Sequence, residues 1–235
     1  MAIVPFLAMT AAEIAAEREF PEKTAWMACH FSPYGPGLSN LPRRLPPGSL
    51  LVVDDATPIR NHDPEIILGQ LRTCVDNLAC RGILLDFQRP VEERTSSLAD
   101  YLSANLPCPV AVSHFYAGNA SPVFLPPVPP SVAPEDYFVP WQGREIWLEF
   151  AMDGEEITVT ESGASFLSLP CVTPLETDFF DETLLCHYRQ EVREEEIKFT
   201  LHRTAADVTW LLQEAEQYGV TTAVGLYQEF VMHQR

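Results

Sequence analysis

Between Cys80 and Pro90 the chain reads Cys80-Arg81-Gly82-Ile83-Leu84-Leu85-Asp86-Phe87-Gln88-Arg89-Pro90, and this stretch constrains the fold more than any other. Ile83 to Leu85 form an unbroken apolar run, as a strand covered on both faces requires. A helix-like segment enters the run through Gly82, and polar side chains begin abruptly at its carboxyl end. Open and closed α/β folds place their chemistry at that end of a strand. The stretch predicts a buried parallel strand with Asp86 and Gln88 as candidate functional groups.

The same alternation runs through the first half of the chain. Ile3 to Leu7 reads as a first strand, and Thr10-Ala11-Ala12-Glu13 has the form of a capping box that starts a short helix. Ala25 to Phe31 is a second apolar run, closed by the loop Ser32-Pro33-Tyr34-Gly35-Pro36-Gly37. Ser49 to Val53 is a third, closed by Asp54-Asp55. Asp63-Pro64 then begins a helix, with Ile67, Leu71, Cys74, Val75 and Leu78 at helical spacing. After the central strand, Thr95 to Asn105 reads as a helix, and Pro109 to Phe115 as a strand leading to a Gly118-Asn119 turn.

Beyond this point the rhythm changes. Ser121 to Pro140 carries so much proline that neither a helix nor a central strand is expected through it. Glu145 to Phe150 and Glu156 to Thr160 flank Met152-Asp153-Gly154-Glu155, which reads as a hairpin on an Asp-Gly turn. Its alternation of Trp147 and Glu149 with Ile146 and Leu148 suggests one outward face. Leu184 to Val192 and Glu196 to His202 suggest a second hairpin. Regularity returns with Thr204-Ala205-Ala206-Asp207, which caps a helix bearing Val208, Leu211, Leu212 and Ala215 on one face. Gly219 stops it, and Val220 to Tyr227 is a last strand.

Alternating strands and helices imply a parallel sheet. Counting the Val123 or Ile146 region once and the Leu184 region once gives about the eight strands of a barrel. The expected fold is a small (β/α)8 TIM-type barrel with some outer helices missing and inserted β-hairpins, a single barrel domain over residues 1–235 with one hairpin at 145–160. A doubly wound open sheet is the alternative, but it normally carries a glycine-rich phosphate loop after its first strand, and none is present.

Composition narrows the partners. A formal charge of −18 and a pI near 4.6 argue against nucleic acid and anionic membrane surfaces. The apolar piece Ala2 to Met9 has no basic residue before it and is too short to span a bilayer, so a buried strand is expected and not a signal peptide. The six cysteines form no CxxC pair and no zinc spacing, which fits a reduced, cytoplasmic setting. His30, His114 and Asp54 stand near predicted strand ends, but no HxH, HxxxH or HExxH spacing supports a metal. No metal and no cofactor are expected.

Two segments resemble the family 18 glycoside hydrolases, the chitinase-type barrels. Arg81-Gly82-Ile83-Leu84-Leu85-Asp86-Phe87-Gln88 stands where that family has Asp-Gly-x-Asp-x-Asp-Trp/Phe-Glu. Gly82, Asp86 and Phe87 match, while Arg81, Leu84 and Gln88 replace two aspartates and the catalytic glutamate. Glu196 to Phe230 resembles the family's ending, with Tyr227 where tryptophan is usual. The resemblance covers about a third of the chain. It implies a site in which the glutamate protonates the glycosidic oxygen and the substrate's acetamido group is the nucleophile, oriented by the neighbouring aspartate. Glutamine has no proton to give near neutral pH, and losing general acid catalysis costs roughly two to four orders of magnitude.

The candidate reacting groups are therefore Asp86, Gln88 at the degenerate acid position, and the strand-end carboxylates Asp54 and Glu229, with Glu149 inside another predicted strand. Phe31, Tyr34, Phe87, Tyr116 and Tyr227 follow different strands and are candidates for stacking on a sugar ring. Three functions remain open at this point. One is a glycoside-hydrolase-like barrel that binds an amino-sugar-containing glycan with its hydrolytic activity lost or much reduced. The others are a barrel enzyme of unrelated chemistry using Asp54, Asp86 and Glu229, and a non-catalytic interaction module.

Overall fold

A computed structural model describes residues 3, 5–17, 20–118 and 122–231. Ala2 and Val4 of the amino-terminal apolar piece, Asn119 of the expected turn, and Ser121 lie outside the described residues. In chain order the strands are β1 (Pro5–Met9), β2 (Thr24–Phe31), β3 (Leu38–Ser39), β4 (Leu50–Asp54), β5 (Gly82–Asp86), β6 (Val110–Ser113) and β7 (Val123–Leu125), followed by β8 (Ile146–Glu149), β9 (Gly154–Thr160), β10 (Gly163–Leu169), β11 (Phe179–Asp181), β12 (Cys186–Val192), β13 (Glu196–His202) and β14 (Val220–Leu226). The α-helices are α1 (Ala11–Ala16), α2 (Pro64–Leu78), α3 (Glu93–Asn105), α4 (Pro134–Phe138), α5 (Ala205–Ala215) and α6 (Tyr227–Val231).

Eight parallel strands close into a barrel in the order β1, β14, β8, β7, β6, β5, β4, β2, and β1 pairs with β2 to complete the ring. β3 lies outside it, antiparallel to β2. Helices are missing where the sequence is poorest in helical spacing. β2 reaches β4 through the proline-rich loop, and no helix is found among the described residues between β6 and β7. The architecture is that of a reduced (β/α)8 barrel. None of its described helices is long and apolar enough to cross a membrane.

β5 shows how the sequence builds both layers. Ile83, Leu85 and Phe87 face outward and pack with Ile67 and Leu71 of α2 and Leu98 and Leu102 of α3. Burying each such side chain contributes about 1.5–3 kcal/mol. α2 begins where Asp63 accepts the Glu65 backbone N–H at 2.9 Å, with Pro64 in its first turn. Leu84 faces inward with Phe6, Leu50, Val52, Ala111, Phe124, Trp147 and Val224, which fill the barrel. Gly82 is also inward, and its lack of a side chain is required there. A Cβ at this position would lie 2.7 Å from the Trp147 ring and 3.0 Å from the Pro109 carbonyl oxygen.

Three sequence expectations need correction. The hairpin expected at 145–160 does not form, because Ile146–Glu149 is a barrel strand, parallel to β7 and β14. Ile146, Trp147 and Leu148 are buried on both faces, and what looked like an outward alternation is the inward face of the barrel. The Asp153-Gly154 step leads out of the barrel into β9, which pairs antiparallel with β10 and β13 and not with β8. The proline-dense region 121–140 does hold a central strand and a short helix. β7 needs only three residues, and α4 accepts Pro134 in its first turn, where proline costs no hydrogen bond. The Leu184 region is not a barrel strand. β12 and β13 form the expected second hairpin, within a separate five-stranded antiparallel sheet ordered β10, β9, β13, β12, β11.

That sheet is inserted between β8 and α5 and is tied to the barrel by buried polar groups. Arg203 donates to the carbonyls of Leu184, Leu185, Val128 and Pro129, joining the insertion to the loop after β7. His187 pairs with Asp207 of α5 at 2.8 Å, while the His202–Asp178 pair, also at 2.8 Å, lies within the insertion itself. The expected capping box of α1 is made by Thr10 with Glu13, and the expected cap of α5 is also a capping box, Thr204 with Asp207.

Candidate active site

Register sets the mouth of the barrel. Val52 is level with Leu84, and Asp54 with Asp86. Residues two apart on a strand share a face. Asp54 and Asp86 therefore stand directly above the Val52 and Leu84 layer, at the carboxyl end of the strands. Ser113 stands in the same way above Ala111 on β6, and Glu149 above Trp147 on β8. The barrel interior thus changes from apolar to polar in a single step.

Asp86 Oδ1 accepts the Gln88 side-chain amide at 2.5 Å and the Ser113 hydroxyl at 3.4 Å. Burial pushes the Asp86 carboxyl up from its ordinary value. The two hydrogen bonds oppose this shift, and the charges of Asp54 and Asp55 add to it. Gln88 lies beyond the strand, yet the alternation persists. Phe87 points outward into the helix layer, and Gln88 turns back over the mouth. Its backbone N–H and that of Arg89 are both held by Asp55, at 2.9 and 3.0 Å.

Asp54 accepts the Ala56 backbone N–H at 2.9 Å, an Asx turn that ends β4. Its neighbour Asp55 is buried and fixes the path of the loop after β5. Glu229 lies on α6 and accepts the Met152 backbone N–H at 3.3 Å. Glu149, half-buried, is pushed up to about 7 by burial first, then by the charges of Asp86, Asp153 and Glu229. Tyr137 of α4 is shifted upward by burial and by Glu149, and its hydroxyl donates to the Pro126 carbonyl at 2.7 Å. Asp86, Glu149 and Glu229 therefore share one electrostatic environment.

The expected aromatic platform is mostly absent. Phe31 and Phe87 are fully buried, with ring centroids 5.7 Å apart, and Tyr116 packs edge-on against Phe87 at 5.6 Å. The Tyr116 hydroxyl lies 2.8 and 2.9 Å from the carbonyls of Arg89 and Pro90, so this residue anchors the loop after β5. All three aromatics belong to the cluster packed between the strands and the helix layer, and so they point away from the mouth. Tyr34, by contrast, is 98% exposed. It lines a cavity of about 540 Å³ between the loops after β2 and β4, with Pro33, Pro58, Arg60 and His62. His62 holds the two loops together, accepting the Arg60 backbone N–H at 3.0 Å and donating to the Ser32 carbonyl at 3.0 Å. Tyr227 opens α6, half-buried, at the carboxyl end of β14.

Ser113 and Tyr137 were not expected at the mouth from the sequence. Ser113 is the one polar residue in the run Val110–Ser113, and that break in an apolar strand is its signal. Tyr137 reaches the mouth from a helix three residues past Pro134, and local sequence carries no sign of it. Buried thiols offer no nucleophile. Burial pushes Cys80 up to about 11 and Cys186 to about 12, and Cys29 is shifted in the same direction. Among the described residues no three His, Cys, Asp or Glu are grouped to hold a metal ion.

No family model and no curated protein matches the chain by sequence. Solved structures do match it in shape. A chitinase from Chromobacterium violaceum superposes with a TM-score of 0.57 at 11% identity, over 96% of this chain and 93% of the other. A GH18 chitinase from Cycas revoluta in complex with (GlcNAc)4 gives 0.54 at 10%, over 94% of each. The fold is that of the GH18 barrels. The spore cortex-lytic enzyme SleL from Bacillus cereus also matches this fold, at 0.56 and 11%, over 95% of this chain and 70% of that one. In the GH18 barrel frame, β5 is the fourth strand and the sheet β9–β13 is inserted after the seventh.

Proposed function

We propose that this chain is a glycoside-hydrolase-like barrel that binds an amino-sugar-containing glycan at its mouth, with hydrolytic activity lost or much reduced. The observation that carries this reading is the hydrogen bond from Gln88 to Asp86 at the end of β5. An amide occupies the position where the resemblance puts a proton donor, and it is already engaged with the carboxylate that would orient an acetamido group. Asp86 retains the capacity to accept from a ligand, since both of its described bonds fall on Oδ1. The exposed Tyr34 beside its cavity supports a stacking contact for a sugar ring at the rim. Tyr227, at the end of β14 two strands around the ring from β2, is a second candidate.

A reading as an enzyme of unrelated chemistry draws support from one observation, the shared environment of Asp86, Glu149 and Glu229. The two readings separate in a calorimetric titration of tetra-N-acetylchitotetraose into the wild type and Asp86→Ala. Binding by the wild type, weakened at least about tenfold by the substitution, is the outcome expected for a ligand held by a charged hydrogen-bond acceptor. Absence of binding by the wild type would remove the glycan reading.

A further inference from the structure

This inference rests on the glycan reading and concerns Glu149. β8 carries Trp147 and Glu149 on its inward face, and the Trp147 ring crosses the barrel to lie over Gly82 of β5. The wall bearing Glu149 therefore faces the wall bearing Asp86. The groups that act on Glu149 are Asp86 on β5, Asp153 just past β8 and Glu229 on α6, with the Tyr137 hydroxyl of α4 close by. Asp54 and Asp55 act on Asp86 from the end of β4, and His30 of β2 is level with Asp54. The charged groups acting directly on Glu149 are all acidic.

We propose that Glu149 stands in the mouth as a neutral carboxylic acid whose O–H donates to an oxygen of the bound sugar, opposite Asp86, which accepts from the same ligand. A carboxyl among like charges, partly withdrawn from water, holds its proton well above the ordinary range. Kept neutral, it changes from an acceptor into a donor. One donor acid and one acceptor carboxylate on facing walls match the two edges of an amide, its C=O and its N–H. That pairing suits the uncharged acetamido group of the glycan already proposed. A de-N-acetylated sugar carries an ammonium group and would favour the ionised form of Glu149 instead.

The test is a calorimetric titration of tetra-N-acetylchitotetraose from about pH 6 to about pH 8.5, with wild type, Glu149→Gln and Glu149→Ala. Wild-type affinity should fall about tenfold per pH unit above about pH 7, as the donor ionises. Glu149→Gln keeps an N–H donor that does not titrate. It should bind within about threefold of the wild type at pH 6 and show no fall, while Glu149→Ala should lose at least about tenfold. A wild-type affinity that is flat or rises with pH would overturn the donor role and leave the glycan reading standing. So would Glu149→Gln binding as weakly as Glu149→Ala. No binding by the wild type at any pH would overturn both. Infrared difference spectra of the ligand-free protein, wild type minus Glu149→Gln, give an independent readout. A carboxylic-acid carbonyl band should vanish as pH rises through about 7, and its absence at pH 6 would contradict the proposal.

Discussion

The Gln88 side-chain amide donates to Asp86 Oδ1 across 2.5 Å, although Gln88 lies two residues beyond the end of β5. Asp55 makes this possible by holding the backbone N–H groups of Gln88 and Arg89, so the chain keeps its alternation past the strand and returns Gln88 to the mouth. The pair is a fixed piece of the barrel end and not a chance surface contact.

Gln88→Glu is therefore expected to fit without rearrangement and to restore a trace of hydrolysis. Two carboxyl groups at this separation cannot both ionise, so the pair would hold a proton near neutral pH. The gain should stay far below the roughly two to four orders of magnitude that a competent general acid supplies. Leu84 is buried in the barrel interior and Arg81 lies over the Phe6 ring at 5.9 Å, so neither position supplies a further aspartate. Release of chromophore from an N-acetylglucosaminide oligomer, measured for both proteins, checks this. Robust turnover by the wild type would place the acid elsewhere.

Gly82→Ala should destabilise the fold by roughly 1–3 kcal/mol, the usual cost of forcing one extra methyl into a packed core. Its Cβ would meet the Trp147 ring at 2.7 Å, and the ring cannot easily withdraw. The Trp147 indole N–H is directed to Glu145, which also accepts from Thr221 at 2.9 Å. Chemical denaturation with a shifted midpoint and an unchanged slope is the expected result.

Glu149→Gln should stabilise the protein at alkaline pH and be neutral in acid. The folded-state value of about 7 lies above the ordinary 4.5, so the folded protein binds more protons than the unfolded chain between those two values. Stability must then fall as pH rises through that window and level off above it. Glutamine removes the titration, and a gain of about 2 kcal/mol is expected near pH 8, with none below about pH 4. Thermal melts of both proteins across this range measure it.

Arg203→Met should cost roughly 3 kcal/mol. Arg203 is 4% exposed, its guanidinium is surrounded by four backbone carbonyls from two segments, and methionine leaves all of them unpaired in the interior. Protease cleavage within the inserted sheet should rise before the barrel itself is attacked, because Arg203 is where the two are joined.

Much of the barrel was legible because its strands are short apolar runs bounded by clear turns, and the strands built on Ala25, Ser49, Ile83, Val110 and Thr222 all occupy barrel positions. Two features of the barrel account for the errors over residues 121–160. A strand of a closed barrel is buried on both faces, so Ile146–Glu149 lacks a solvent side and can be mistaken for half of a hairpin beside an Asp-Gly step. Val123–Leu125 is so short that flanking prolines conceal it. The position of Asp86 and Gln88 at the barrel mouth was legible, because polarity there ends an apolar run. It was not legible for Phe31, Phe87 and Tyr116, because whether an aromatic after a strand faces the mouth or the helices depends on a parity that shifts at any bulge, such as the one between Trp26 and Cys29 in β2.

Native mass spectrometry of the protein held for a day with tetra-N-acetylchitotetraose tests the central claim in one measurement, because it reads binding and cleavage together. A barrel whose mouth keeps Asp86 but has an amide at position 88 should retain the intact tetrasaccharide as a one-to-one complex, lost in Asp86→Ala, with no shorter oligomers in solution. Accumulation of di- or trisaccharide, or no complex at all, would contradict it.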